Sequence, residues 1–193
     1  MPQGYYNQLK NKKICKMNKK IGLFKKIKLL ILDVDGVLTK GEIIYDDKGR
    51  ELKIFNVKDG LGIFLLDKVG IKTVFLTAKS SAVVRRRAKD MHVSEVIGGI
   101  LPKESVLSRI SSKYKVKPEN ICFMGDDLID IGLMERVGIA VTVSDAPQMV
   151  KKYASYVTVK GGGQGAVREV VEFIFKAQHL EERVIEIVKS PRK

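Results

Sequence analysis

The sequence predicts an α/β fold, a mostly parallel sheet layered between helices. Three observations carry that expectation. Short apolar runs of strand length recur at 27–32, 71–76, 121–124 and 139–143. Helical segments separate them, as crossovers between parallel strands require. Two of the runs end abruptly in clustered aspartates, which suits strands whose C-terminal edges open into a site.

In chain order, residues 1–26 carry eight lysines and no acid. They read as a basic extension ahead of the folded domain, with Met17 as a second candidate start. The first core strand, I-K-L-L-I-L at 27–32, runs into D-V-D-G-V-L-T at 33–39. A hairpin is expected next, over 43–55, with strands at Ile43–Tyr45 and Leu52–Phe55 and a turn at Asp47 and Gly49. Residues 59–69 read as a helix, with Asp59 as its cap and Gly70 as its stop. The second core strand, 71–76, ends in Thr77-Ala78-Lys79-Ser80-Ser81, and a strongly basic helix follows at 81–90. A weaker strand at 93–97 leads to a helix from about 103 to 114, introduced by Pro102.

The buried run 121–124 delivers G-D-D-L-I-D at 125–130. Strands at 139–143 and 156–159 flank a short helix opened by Ala146-Pro147. The glycine-rich stretch 161–165 comes too late for a dinucleotide fingerprint and reads as a tight loop. Two helices, 165–176 and 178–189, close the chain before a frayed K-S-P-R-K end.

Composition narrows the function. A length of 193 residues suits one domain with a real core. No apolar run is long enough for a membrane span, so a cytoplasmic protein is expected. Cys15 and Cys122 are too far apart for a metal knuckle or a disulfide framework. The net charge is +14, but beyond residue 26 it falls to 28 basic against 22 acidic residues. The basic excess therefore sits mostly in the extension, and nucleic acid is not the expected partner.

The chemistry gathers on the aspartates. Asp33 and Asp35 sit one residue apart, so on extended backbone they face the same way, with Val34 turned to the core. Gly36 permits a sharp turn after them. Asp126, Asp127 and Asp130 repeat that logic on a second strand end. Five carboxylates at neighbouring edges favour a hard cation such as Mg²⁺ over zinc. Asp127 is equally readable as a helix cap, and Asp130 as a first-turn acid. An acidic pocket alone repels phosphate, so donors are also needed. Thr77 and Lys103, each placed after a strand, supply a hydroxyl and an ammonium. His92 and His179 look structural or solvent-facing. No phosphate-binding G-x-x-x-x-G-K-[ST] loop and no G-x-S-x-G elbow occurs in the chain.

Taken together, D-V-D-G-V-L-T, Thr77, Lys103 and G-D-D-L-I-D resemble the four motifs of the haloacid-dehalogenase superfamily of phosphatases. The resemblance implies that Asp33 is the nucleophile and Asp35 the acid/base. Asp33, the Asp35 carbonyl and Asp126 would hold Mg²⁺, with Asp127 and Asp130 in support. Thr77 and Lys103 would bind the phosphoryl oxygens.

A closer likeness lies in F-N-V-K-D-G-L-G at 55–62, R-R-A-K at 86–89 and G-G-Q-G-A-V-R-E at 162–169. These are similar to the capless subgroup that acts on 3-deoxy-D-manno-octulosonate 8-phosphate. That likeness implies a Rossmann-like three-layer sandwich with a mostly parallel central sheet, a β-hairpin after the first strand and no separate cap domain. The phosphatase domain would span 27–180, followed by a helical tail and frayed end at 181–193. It also implies a homo-oligomer, a tetramer, whose hairpins and C-terminal segments help close neighbouring sites.

Two positions depart from the subgroup. Where it usually has T-G-R-x-S, this chain has Lys79 in place of the arginine, keeping charge but losing the bidentate fork. Gln164 stands where a basic residue is common. The expected substrate is a small acidic sugar phosphate whose carboxylate is met by Lys79, Arg86 or Arg168. The competing readings are a phosphatase of a nine-carbon sialic-acid-like sugar 9-phosphate, a nucleic-acid phosphatase, and a non-catalytic binding protein that kept the fold.

Overall fold

A computed structural model describes residues 21–190. Six parallel strands form the central sheet: β1 (Leu29–Leu32), β4 (Lys72–Thr77), β5 (Glu95–Gly98), β6 (Ile121–Met124), β7 (Ile139–Thr142) and β8 (Tyr156–Val157), in the order β5-β4-β1-β6-β7-β8. A separate two-stranded antiparallel hairpin pairs β2 (Ile44–Tyr45) with β3 (Glu51–Leu52). The helices are α1 (Val57–Lys68), α2 (Ala82–Asp90), α3 (Leu107–Tyr114), α4 (Ile131–Met134), α5 (Gln148–Lys151), α6 (Ala166–Ala177) and α7 (Glu181–Lys189). This is the three-layer α/β sandwich the sequence predicts, and no separate cap domain interrupts it within the described residues.

β1 lies at the centre, with β4 on one side and β6 on the other. All four of its residues are buried. Alternate side chains therefore feed two cores. Leu30 and Leu32 join the larger cluster under α1 and α6, and Leu29 and Ile31 join the cluster under α3 and α4. That double burial explains why the strand reads as a continuous apolar run.

Several local expectations are corrected. Asn56, not Asp59, caps α1, its side chain accepting from the Lys58 amide. Asp59 is buried and faces α6 instead, accepting from the Arg168 backbone N–H at 2.7 Å. The helix expected from 103 opens as a 3₁₀ turn, Lys103–Val106, before α3. The hairpin ladder is shorter than the expected strands, with only two residue pairs. Residues 21–26, assigned to the extension, belong to the packed body: Phe24 is fully buried, meeting Tyr156 edge to face and Phe173 at a tilt. The rest of that basic segment, with Cys15 and Met17, lies outside the described residues, as do 191–193.

His92 and His179 have a shared backbone role. Both take the left-handed conformation, at φ 59° and 55°, just past α2 and α6. The amides of Val93 and Leu180 then return to the carbonyls of Ala88 and Phe175, closing each helix with a six-to-one bond.

Candidate active site

The site forms where parallel register brings strand ends together. Leu32 pairs with Met124 and lies beside Phe75, so Asp33, Gly125-Asp126 and Thr77 emerge at one sheet edge. The Asp33 amide donates to the Met124 carbonyl at 2.9 Å, fixing the first two segments to each other. After Asp33 the chain coils tightly: the amides of Val37, Leu38 and Thr39 all point to the Val34 carbonyl. Gly36 is required here twice over. Its φ is +88°, and a Cβ on it would fall 2.0 Å from Asp126 Oδ2.

Lys103 comes from the turn after β5 and is fully buried. Its Nζ lies 2.9 Å from Asp33 Oδ1 and 2.6 Å from Asp130 Oδ1. Burial pulls the ammonium toward neutrality, but the two carboxylates outweigh it and its pKa is raised. Asp130 Oδ2 accepts from the amides of Asp126 and Asp127, so this carboxylate is fully engaged. It aligns Lys103 and the loop that carries Asp126. Asp127 is the cap its sequence allowed: it is exposed and accepts from the Leu128 amide, with Asp130 completing a reciprocal capping box.

Asp33 and Asp126 have the electrostatics of a cation site. Burial, opposed by Lys103, raises Asp33 to about 6. Burial and then the charges of Asp33 and Asp130 raise Asp126 to about 8. Asp126 Oδ1 is buried without a hydrogen-bond partner among the described residues. Carboxylate oxygens of Asp33, Asp126 and Asp130 lie within 4.8 Å of one another. Asp130 is already bonded on both oxygens, so the oxygens open to a metal belong to Asp33 and Asp126. Hard, anionic oxygens with an unsatisfied buried acceptor fit Mg²⁺.

Asp35 sits at the mouth of this pocket. Its Oδ1 accepts from Lys53 Nζ at 2.5 Å and from Thr39 Oγ1 at 3.5 Å. Thr77 is buried, and its hydroxyl accepts from the Lys79 amide at 3.3 Å. The three cations expected to meet a substrate carboxylate are all engaged elsewhere. Lys79 Nζ bonds Glu51 at 2.8 Å, Arg86 is exposed with Asp90 at 3.5 Å, and Arg168 Nε bonds Glu172 at 2.8 Å.

Residues that sequence reasoning passed over include Lys53 and Glu51 in the hairpin. Their signal was present: E-L-K-I-F alternates charged and apolar residues, but that alternation ordinarily turns the apolar set inward, and here the charged set does so. The glycine-rich loop, expected as a tight loop, has a specific neighbour. A Cβ on Gly162 would fall 1.9 Å from the Gly36 carbonyl oxygen, and the Gly163 amide donates to the Val37 carbonyl at 3.0 Å. This loop backs the turn that holds Asp35.

Comparison with known proteins agrees with this geometry. A family profile for haloacid dehalogenase-like hydrolases matches residues 81–170. The 3-deoxy-D-manno-octulosonate 8-phosphate phosphatase of Escherichia coli K12 is 41% identical over 152 residues, covering 79% of this chain and 81% of that protein. The crystal structure of the phosphatase of the same name from Moraxella catarrhalis, in complex with magnesium, phosphate and a KDO molecule, superposes with a TM-score of 0.85. It is 38% identical, and the match covers 90% of this chain and 99% of that one. A cobalt-bound form of the Haemophilus influenzae deoxy-D-mannose-octulosonate 8-phosphate phosphatase matches at 34% identity with a TM-score of 0.81, covering 86% and 99%. With its buried lysine between two aspartates and its second acidic strand end, this chain belongs to the haloacid dehalogenase-like hydrolase family.

Proposed function

We propose that this protein is a Mg²⁺-dependent phosphomonoesterase that hydrolyses 3-deoxy-D-manno-octulosonate 8-phosphate to the sugar acid and phosphate. The observation that carries the reading is the contact of buried Lys103 with Asp33, which sets a cation beside a carboxylate nucleophile. The identity to phosphatases named for that substrate, over four-fifths of their length, supports the choice of ester.

Asp33 Oδ attacks phosphorus, the ester P–O bond breaks, and Asp35 gives a proton to the departing alkoxide. Water then attacks the aspartyl-phosphate, Asp35 takes its proton, and Asp33 is regenerated as phosphate leaves. Lys103 and Thr77 receive the phosphoryl oxygens. Asp33, Asp126 and the Asp35 carbonyl would hold Mg²⁺, which neutralises charge on the phosphoryl group. Asp130 aligns Lys103, and Asp127 secures the Asp126 loop.

The substrate carboxylate needs a second cationic region. Lys79, Arg86 and Arg168 remain the candidates, with their present carboxylate partners exchanged for substrate or the groups of a neighbouring copy. A homo-oligomer, in our reading a tetramer, supplies that neighbour. The hairpin supports it, because Ile43, Tyr45, Leu52 and Ile54 present their apolar side chains to solvent. We place the protein in the cytoplasm, where a doubly anionic sugar phosphate is retained by the membrane.

The test is kcat/KM across the octulosonate 8-phosphate, a nine-carbon sugar acid 9-phosphate, a hexose 6-phosphate and a 3′-phosphorylated oligonucleotide. At least a tenfold preference for the octulosonate ester, about 1.4 kcal/mol of transition-state binding, is expected. Equal rates on the hexose phosphate would overturn the substrate assignment.

A further inference from the structure

The hairpin is patterned inside out. Along β3 and its continuation, Leu52 and Ile54 face solvent, while Glu51, Lys53 and Phe55 turn toward the body. The Lys53 side chain is only 5% exposed. Burying an ammonium is costly unless it is paired. A two-pair hairpin has no apolar need to bury this one.

The contacts show where the charge goes. Lys53 Nζ lies 2.5 Å from Asp35 Oδ1 and 3.5 Å from Glu51 Oε1. Glu51 in turn accepts from Lys79 Nζ at 2.8 Å and from Ser81 Oγ at 3.0 Å. A continuous polar chain thus links Asp35, through the hairpin, to the segment that follows Thr77. Neither phosphate binding nor the acidic pair Asp33 and Asp126 makes use of Lys53.

We propose that Lys53 is a positioning residue for Asp35, with Glu51 anchoring Lys53 to the end of β4. This inference rests on the acid/base role assigned to Asp35 above. Asp35 needs such a partner. Its other side-chain bond among the described residues is the long one to Thr39 Oγ1. Its side chain is 38% exposed, so packing alone does not select a rotamer. A fixed cation at the hairpin holds the carboxylate on the leaving-group side, where proton transfer demands alignment.

The leaving group provides the test. An alkyl ester needs the proton from Asp35, whereas an aryl ester with a stable phenolate leaves without it. Rates of phosphoprotein formation and breakdown, followed by rapid quench, are compared with a sugar phosphate and with p-nitrophenyl phosphate as donor for the wild-type protein, Lys53→Met, Lys53→Arg and Glu51→Gln. Lys53→Met should slow phosphoprotein formation by about 30-fold or more with the sugar phosphate and by less than about 3-fold with the aryl ester, while breakdown, common to both esters, slows equally for the two. Lys53→Arg should recover most of the loss, and Glu51→Gln should show a weaker form of the same split. A crystal structure of Lys53→Met should show the Asp35 carboxylate in a different or mixed rotamer.

Equal losses of phosphoprotein formation from both esters, a loss confined to KM, or an unmoved Asp35 would overturn the inference while leaving the phosphatase reading standing. A folded wild-type protein inactive on both esters would overturn that reading and this inference together.

Discussion

Lys103 Nζ lies 2.9 Å from Asp33 Oδ1, and the lysine side chain has no solvent exposure. The same ammonium is 2.6 Å from Asp130, so one buried cation serves two buried carboxylates. Such an arrangement is not chosen for stability alone, since an apolar trio of the same volume packs without desolvating charge. It keeps a positive charge beside the proposed nucleophile before an anionic ester arrives.

Removing that cation should cost both activity and stability. Lys103→Met is expected to lower kcat/KM by about 10²–10³-fold, the usual effect of deleting one charge-stabilising donor. It should also destabilise the fold by ~3–5 kcal/mol at neutral pH, because Asp33 and Asp130 are left buried and uncompensated. Denaturant unfolding and initial rates on the same preparation check both; unchanged stability would contradict the buried-triad account.

The two acidic residues of the first motif should fail at different steps. Asp33→Asn should abolish turnover and any acid-stable, hydroxylamine-sensitive phosphoprotein, while its melting profile stays cooperative. Asp35→Asn should slow breakdown of the phosphoprotein formed from p-nitrophenyl phosphate, which needs no proton to leave, and rapid quench detects this as accumulation. Normal formation and normal breakdown in the second variant would remove Asp35 from the acid/base role.

Proton and metal binding should compete at Asp126. Its folded pKa of about 8 exceeds the ordinary carboxylate value of 3.8 because of burial first and the neighbouring acids second. A raised carboxylate pKa means the folded state binds the proton more tightly than the unfolded state. That stabilisation is complete below the unfolded pKa and is lost as pH rises through the folded one. Metal-free protein should therefore melt progressively lower between about pH 5 and 8, above the range in which the carboxylates held low, Asp46, Glu51 and Glu95, lose their own contributions. Mg²⁺ should raise the midpoint more at pH 8.5 than at pH 6, and calorimetry in two buffers should register proton release on binding. A larger Mg²⁺ effect at the lower pH would refute the linkage.

Gly162 should tolerate no side chain. A Cβ there would fall 1.9 Å from the Gly36 carbonyl oxygen and 2.9 Å from that of Thr39, both backbone atoms. Gly162→Ala is expected to cost ~1–3 kcal/mol or more, and to depress kcat by displacing the turn that carries Asp35. Gly22→Ala is the control, since nothing lies within 4 Å of its Cβ position. Thermal melts of the two variants should differ clearly; equal midpoints would show that the loop yields.

The outward face of the hairpin should control assembly. Ile54 is 67% exposed in the single chain. Ile54→Lys should shift the mass measured by light scattering from the proposed tetramer toward smaller species, more so on dilution, and reduce activity in parallel. A wild-type protein that is monomeric and fully active at every concentration would exclude the assembly.

The sequence by itself determined the sheet, the carboxylate motifs and the reaction class. β1 and β6 are buried on both faces, so their apolar runs are continuous and end only where Asp33 and Asp126 must face solvent or ligand. Those signals are local and survive without tertiary information. Asp59 shows the limit of such reading: as a helix-start acid it looked like the cap of α1, yet its bond is to the Arg168 amide, 109 positions away.

Only the tertiary structure decided how the remaining polar groups pair. Asp127 is the cap that its position before a helix allowed, but that Asp130, a first-turn acid in sequence, is the buried partner of Lys103 appears only in three dimensions. Lys79, Arg86 and Arg168 looked available to a substrate, and each is held by a carboxylate in this chain. Lys53 gave no motif at all. Its importance appears when the hairpin's charged face turns inward, because in a two-residue ladder the pleat sets alternation but only packing against the body chooses the face.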